Sequence, residues 1–190
     1  SRVRLARNLA SEPFVHRCDE SQCRSIAGML RSALLQGDLD ENLAWVDLET
    51  ASGHDRQLLV ERHLIRRQLA ETALPRVMAI ADDETMSVMV NEEDHLRIQV
   101  MQSGLDLLEA WKRIDSIDNC IETHVQYAYH KSLGYLTACP TNVGTGLRVS
   151  VMLHLPALVM TRELEKVFRS LQKINLAVRG LYGEGSEAMG

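Results

Sequence analysis

Hydrophobic and polar positions alternate with period two at the start of the chain. In residues 1–8 Arg2 and Arg4 fall on one side of an extended segment, and Val3 and Leu5 on the other. Over residues 19–36 the period changes: Ile26, Met29, Leu30, Ala33 and Leu34 recur at helical spacing behind a polar start, and Gly37 supplies a stop. Residues 45–48 read as a strand. Leu58, Leu59, Leu64, Ile65, Leu69 and Ala73 then predict a second helix over 58–74, terminated by Pro75. Three strands follow at 77–80, 85–90 and 95–101, and a long helix over about 105–131. After a short strand at 135–139 comes a glycine-containing loop, 140–146, and then a strand over 147–155. Pro156 opens a helix predicted to reach about residue 175, residues 176–179 read as one more strand, and 183–190 are glycine-rich.

Consecutive strands on short loops, with helices between the groups, predict an α+β fold: a largely antiparallel sheet flanked by helices rather than a doubly wound sheet. A length of 190 residues suits one domain. Ser1 opens inside an arginine-bearing strand and Gly190 closes in a loop, so both ends read as cut, and residues 1–190 read as a fragment of a longer protein, a domain truncated at both ends.

Composition narrows the function classes. With 45% hydrophobic and 25% charged residues, the chain is globular rather than disordered or collagenous. Its longest apolar stretch, 149–160, is interrupted by Ser150, His154 and Pro156 and falls well short of the roughly 20 residues a membrane span requires. Four irregularly spaced cysteines without a CxxC pair, and seven histidines without an HxxxH pair, point to a reduced cytoplasmic protein with no zinc site. A net charge of −5 argues against a general nucleic-acid or membrane surface. Within that balance lysine is scarce (Lys112, Lys131, Lys166, Lys173) and arginine abundant, the cation suited to bidentate recognition of phosphate and carboxylate.

The candidate chemistry lies in three groups. Arg2 and Arg4 point the same way, Arg97 follows an acidic cluster, Arg148 follows Gly144-Thr145-Gly146, and Arg179 precedes Gly180 and Gly183. Five arginines at strand ends and glycine turns would form a polyphosphate pocket if they converge, with side chains rather than a P-loop neutralising charge. Taken singly, the Arg2 and Arg4 pair reads equally as a solvated edge strand. Asn91-Glu92-Glu93-Asp94 sets three carboxylates side by side, either as an exposed acidic turn or as the seat of a metal or a guanidinium. Glu184, between Gly183 and Gly185, is a second carboxylate on a pliable loop. Cys139 sits at a strand-to-loop junction, where surrounding arginines would favour a thiolate and burial an inert thiol. His63 falls in a helical stretch, where a surface position is usual, and Met78, Met86, Met89 and Met152 read as core packing on strands.

Four segments together resemble the phosphagen (guanidino) kinases, and within them the bacterial protein-arginine kinase family. They are Ser-Arg-Val-Arg-Leu-Ala-Arg-Asn (1–8), Val-Asn-Glu-Glu-Asp-His-Leu-Arg (90–97), Cys-Pro-Thr-Asn-Val-Gly-Thr-Gly-Leu-Arg (139–148) and Arg-Gly-Leu-Tyr-Gly-Glu-Gly-Ser-Glu-Ala (179–188). Met89, where creatine and arginine kinases carry an aromatic residue or cysteine, is in line with the protein-directed branch. The resemblance implies an ATP:guanidino phosphotransferase catalytic domain using ATP, with magnesium held mainly through the nucleotide. It implies ATP binding by Ser1, Arg2, Val3, Arg4, His63, Arg97, Arg148, Val149, Ser150, Val151, Met152, Arg179, Gly180, Leu181, Tyr182, Gly183 and Glu184. It further implies that Glu93 is the catalytic base, Glu184 the second carboxylate on the guanidinium, and Cys139 a reactive thiol beside the substrate.

The partners it implies are arginine-containing protein substrates, a stress-response repressor, an ATP-dependent protease complex and an activator protein, with a homodimer left open. A kinase of free arginine or another small guanidino metabolite is the alternative within the same chemistry. A non-catalytic nucleotide-binding regulatory module is the alternative of another class.

Overall fold

The opening alternation forms strand β1 (Arg2–Arg7), whose Val3 and Leu5 are fully buried. A computed structural model of the chain describes residues 1–37, 42–65, 67–70 and 74–179 and divides it into two compact units, Ser1–Ser150 and Val151–Gly190.

In the first unit, Asp19 opens α1 (Glu20–Gln36) with a capping box: its carboxylate accepts from Gln22 N at 2.8 Å, and the Gln22 side chain accepts from Asp19 N at 3.0 Å. The remaining elements are β2 (Leu43–Asp47), α2 (Gly53–Glu61), α3 (Arg67–Ala70), β3 (Val77–Ala81), β4 (Met86–Val90), β5 (Leu96–Met101), α4 (Leu107–Glu122), β6 (Tyr129–His130), β7 (Gly134–Tyr135) and β8 (Leu147–Ser150). Single 3₁₀ turns lie at Val15–Arg17 and Pro140–Asn142. Among the described residues one sheet has the order β2-β3-β4-β5-β1-β8, every neighbouring pair antiparallel, and β6 pairs with β7.

The two faces of the large sheet differ. On one, Val3, Leu5, Val88, Val90, Ile98 and Val100 pack with Ile26 and Leu30 of α1 and with Ile114 and Ile121 of α4. Each such side chain contributes ~1.5–3 kcal/mol on burial. On the other, Met78, Ile80 and Met89 pack with Leu59, Val60, Leu64 and Leu69 from α2, α3 and their connection. That second cluster covers the β3–β4 side of its face, and β5, β1 and β8 complete the same face with Arg97, Gln99, Arg2, Arg4, Arg148 and Ser150.

Several predicted elements are shorter than the periodicity suggests. The helix expected over 58–74 starts earlier, because Ser52 Oγ accepts from Asp55 N at 3.1 Å, and it ends at Glu61 with Arg62 as its C-cap. His63 there takes the left-handed conformation (φ 59°), with His63 N on Val60 O and Leu64 N on Leu59 O, both at 3.0 Å, a Schellman closure. The helix expected to reach residue 131 stops at Glu122. Thr123 Oγ1 donates to Cys120 O at 2.7 Å, and the chain turns into the β6–β7 hairpin. The strand predicted over 135–139 is limited to Gly134–Tyr135, and that over 147–155 to Leu147–Ser150.

The second unit holds α5 (Pro156–Met160) and α6 (Leu164–Lys173) in place of one continuous helix. Arg162 (φ 57°) closes α5 with Glu163 N on Leu158 O at 3.0 Å, and Asn175 (φ 58°) closes α6 with Leu176 N on Leu171 O at 3.0 Å. Residues 176–179 form no strand. Met152, expected in the core, is exposed because the strand that would have buried it ends at Ser150.

Candidate active site

The β1 register brings arginines from three strands onto one face. Arg4 lies directly opposite Arg148 on β8 and Gln99 on β5, Arg2 is opposite Ser150, and Ala6 is opposite Arg97. Opposed residues of an antiparallel pair share a face, so Arg2, Arg4, Arg97 and Arg148 stand together. Arg4 and Arg97 keep only 9% and 5% exposure. A like-charge pair directly across two strands is destabilising, and an anion lying between the two relieves it. Arg2 Nε donates to Ser150 Oγ at 3.2 Å. Gly146 (φ 64°) closes this corner: a Cβ there would stand 2.5 Å from Ala6 O, so the loop before β8 can approach β1 only as glycine. A narrow cleft between the loop and the sheet is lined by Arg4, Arg97, Asn142, Gly146 and Arg148.

His63 joins the same edge. Gln99 Nε2 donates to its carbonyl at 3.1 Å, and burial together with the charge of Arg2 lowers its imidazole pKa and favours the neutral ring. His63 thus occupies a loop position beside Arg2, not the helical surface position the sequence suggested.

The acidic block closes the β4–β5 connection. Asn91 adopts φ 59° and donates its N–H to His95 O at 3.0 Å, while its Nδ2 donates to Cys23 O at 2.8 Å and Pro75 O at 3.1 Å. The three carboxylates do different work, which corrects the reading of an exposed acidic turn. Asp94 is buried and accepts from Asn8 Nδ2 at 2.6 Å and Ala138 N at 2.7 Å, fastening the block to β1 and to the segment before Cys139. Glu92 is buried against Arg97 in close contact. The Glu93 side chain is 41% exposed and lies 3.3 Å from Arg97 Nη2, so Arg97 bridges the arginine face and this carboxylate. Glu93 opens onto a second cleft of about 320 Å³, lined also by Val15, His16, Leu74, Arg76, Glu92 and Ala138.

His95 holds the floor of the block. Its Nδ1 accepts from Leu9 N at 3.0 Å and its Nε2 lies 2.8 Å from Pro13 O, so the ring is the neutral Nε2–H tautomer, and burial lowers its pKa. Cys139 caps the 3₁₀ turn after the segment that lines the Glu93 cleft. It is half-buried, with Sγ 3.0 Å from Thr141 Oγ1.

Ser1 Oγ donates to Gly104 O at 2.6 Å, which places its hydroxyl on the loop before α4. Val3 belongs to the core, and Val149 is exposed on β8. Val151, Met152 and Arg179 belong to the second unit, and Gly180, Leu181, Tyr182, Gly183 and Glu184 lie outside the described residues.

Sequence reasoning missed the task of Arg7. Its Nε and Nη2 donate to Asp118 Oδ2 at 3.1 and 2.6 Å, its Nη1 donates to Ala6 O and Thr145 O, and its guanidinium stacks 3.7 Å from the Tyr135 ring centroid. The signal was present, since Arg7 shares the parity of Val3 and Leu5. Burial raises the Asp118 carboxyl pKa while Arg7 pulls it down.

A family model described as ATP:guanido phosphotransferase, C-terminal catalytic domain, matches residues 25–190. The protein-arginine kinase of Symbiobacterium thermophilum is 48% identical over 193 residues, covering 100% of this chain and 55% of that protein. That of Desulforamulus reducens is 49% identical over 193 residues, with coverage of 100% and 54%. The chain therefore spans about half the length of the curated relatives it matches. Among solved structures, the duplicated taurocyamine kinase of Schistosoma mansoni with bound transition state analog components is similar at a TM-score of 0.87 and 29% identity, over 99% of this chain and 28% of that one. Lombricine kinase is similar at a TM-score of 0.78 and 25% identity, over 98% of this chain and 55% of that one. With more than half of its residues matched by the family model, the chain belongs to the ATP:guanido phosphotransferase family.

Proposed function

We propose that residues 1–190 are the catalytic domain of a kinase that transfers the γ-phosphoryl group of ATP to the guanidinium of arginine residues in proteins. The observation that carries the reading is the position of Arg97, which shares a sheet face with Arg2, Arg4 and Arg148 and meets Glu93 at the mouth of a separate cleft. Phosphates on the arginine face and a guanidinium on Glu93 would then approach each other across one side chain.

A guanidinium is a poor nucleophile because its lone pairs are delocalised and its pKa exceeds about 12. Glu93 would hold it by an ion pair, orient one nitrogen toward the γ-phosphorus and take its proton as the N–P bond forms and the bond to the ADP oxygen breaks. Arg2, Arg4, Arg97 and Arg148 would spread the charge of the transferring group. The family resemblance assigns Arg179 to ATP binding, Glu184 to the guanidinium and Cys139 to the reactive thiol. In this reading magnesium enters with the nucleotide, held mainly through the ATP phosphates.

Identity to proteins named protein-arginine kinase supports protein arginine as the acceptor. The taurocyamine and lombricine kinases favour the second reading, a small guanidino acceptor. Supplying γ-labelled ATP with an arginine-rich protein and, separately, with free arginine decides between them. Acid-labile phosphoramidate on the protein alone is expected, and label confined to free arginine would overturn the reading. The same proposal takes in a repressor, a protease complex and an activator as partners, a homodimer, a role in the stress response and a cytoplasmic location. No helix among the described residues is long and apolar enough to cross a membrane.

A further inference from the structure

Arg76 immediately precedes β3 and lines the Glu93 cleft, yet neither the phosphate face nor the proton transfer uses it. Its residue exposure is 9%, and its Nε has no hydrogen-bond partner among the described residues. No described carboxylate lies within ion-pair distance of its guanidinium. The nearest acidic influence is Glu92, already in contact with Arg97, and burial depresses the Arg76 pKa. A buried Nε–H without an acceptor is costly unless something enters to accept it, and the planar fork offers further donors beside it.

The backbone around Arg76 is built to hold it in place. Leu48 N donates to Arg76 O at 2.9 Å, and Asn91 Nδ2 donates to the preceding carbonyl, Pro75 O, at 3.1 Å. The residue that turns the acidic block thus also fixes Arg76 relative to Glu92 and Glu93. A cleft of about 320 Å³ is at the lower end of small-ligand sites, which run from roughly 300 to 1,000 Å³.

The ligand complementary to this cleft carries a cation for Glu93 and an anion for Arg76. A dianionic phosphoryl group is disfavoured there by Glu92 and Glu93, whereas a single carboxylate matches the guanidinium fork. We propose that Arg76 is a carboxylate-binding subsite for the guanidino acceptor, reading either the acceptor's own α-carboxylate or an Asp or Glu side chain next to the target arginine. The inference rests on the acceptor role of the Glu93 cleft.

The test measures equilibrium binding to the intact protein for two ligand pairs: arginine against argininamide, and an end-blocked Arg-Glu peptide against its Arg-Gln counterpart. The carboxylate-bearing member of at least one pair should bind roughly 10-fold or more tightly. Arg76→Gln should collapse that ratio to about one, and Arg76→Lys, which keeps the charge without the fork, should retain part of it. A preference in the first pair assigns the α-carboxylate, and one in the second pair assigns the neighbouring side chain. Equal affinities within both pairs, no binding of any ligand, or a preference that survives Arg76→Gln overturns the proposal. The wild-type comparison decides against it even where Arg76→Gln costs the fold. Phosphoryl transfer to the same ligands keeps the two claims apart. Transfer to all with equal affinities removes the subsite and leaves the kinase, whereas carboxylate-dependent binding without transfer leaves the subsite and removes the kinase.

Discussion

Arg4 and Arg7 stand three positions apart on β1 and face opposite ways. Arg7 enters the helix-covered side and is met there by the Asp118 carboxylate, two carbonyls and the Tyr135 ring. Arg4 enters the other side and stands directly opposite Arg148, with Arg97 and Arg2 on the same face. Both are nearly buried, so burial alone does not distinguish a structural arginine from one proposed to bind phosphate. What distinguishes them is the charged neighbour each meets, Asp118 of α4 for Arg7 and Arg148 of β8 for Arg4. Arg7 meets a carboxylate on its side of the sheet, while Arg4 and Arg148 set like charges directly across two strands, an arrangement that an anion lying between them relieves.

The sharpest test of that contrast acts beyond both arginines, at the carboxylate that Arg97 presents. Glu93→Gln is expected to lower phosphoryl transfer by about 10²–10⁴-fold while nucleotide affinity is kept, measured by single-turnover kinetics beside nucleotide titration. Transfer at the wild-type rate would remove Glu93 as the base. On the structural side, Arg7→Ala leaves Asp118 buried without its partner and should cost ~3–5 kcal/mol in urea unfolding. A loss within about 0.5 kcal/mol would mean the clamp is dispensable.

Arg148→Ala should leave the fold nearly unchanged, because β8 is the last strand on its side among the described residues, and should weaken nucleotide binding and turnover together by roughly 10²–10³-fold. Unchanged kinetics would take Arg148 out of the site. The smallest effect concerns His95, whose ordinary pKa of 6.5 is lowered by burial in the folded chain. Above that value neither state is protonated. Below it the unfolded chain takes a proton that the folded ring refuses, so stability falls on acidification from about pH 7 to 5, by up to ~1.4 kcal/mol per unit. Urea midpoints of the wild type and His95→Gln across that range isolate the contribution, and a wild-type slope no steeper than the variant's would contradict it.

Much of the sheet was legible because period two is preserved wherever both faces are packed: β1, β3, β4 and β5 lie where the alternation put them. The end of α1 at Gly37 was legible too, but the other helix ends were not. The sequence was read for glycine and proline stops, whereas α2, α5 and α6 close with His63, Arg162 and Asn175 in the left-handed conformation that glycine usually takes. At His63 this choice also delivers an imidazole to Arg2. Among the candidate site residues, the parity of Arg2 and Arg4 predicted their shared face, and only the strand order brought Arg97 and Arg148 beside them. Within the acidic block only the resemblance singled out Glu93, because nothing local tells that Asp94 is taken by Asn8 and Ala138, from distant parts of the chain. Arg76 carried no motif at all and is visible only from the cleft it lines.

The contrast between the two faces is tested most directly by following arginine side-chain Nε resonances in ¹⁵N-labelled protein as ATP is added with magnesium. The account predicts that Arg4, Arg97 and Arg148 shift together along one saturation curve while Arg7 stays in place. Shifts at Arg7 with none at Arg4 and Arg148 would contradict it.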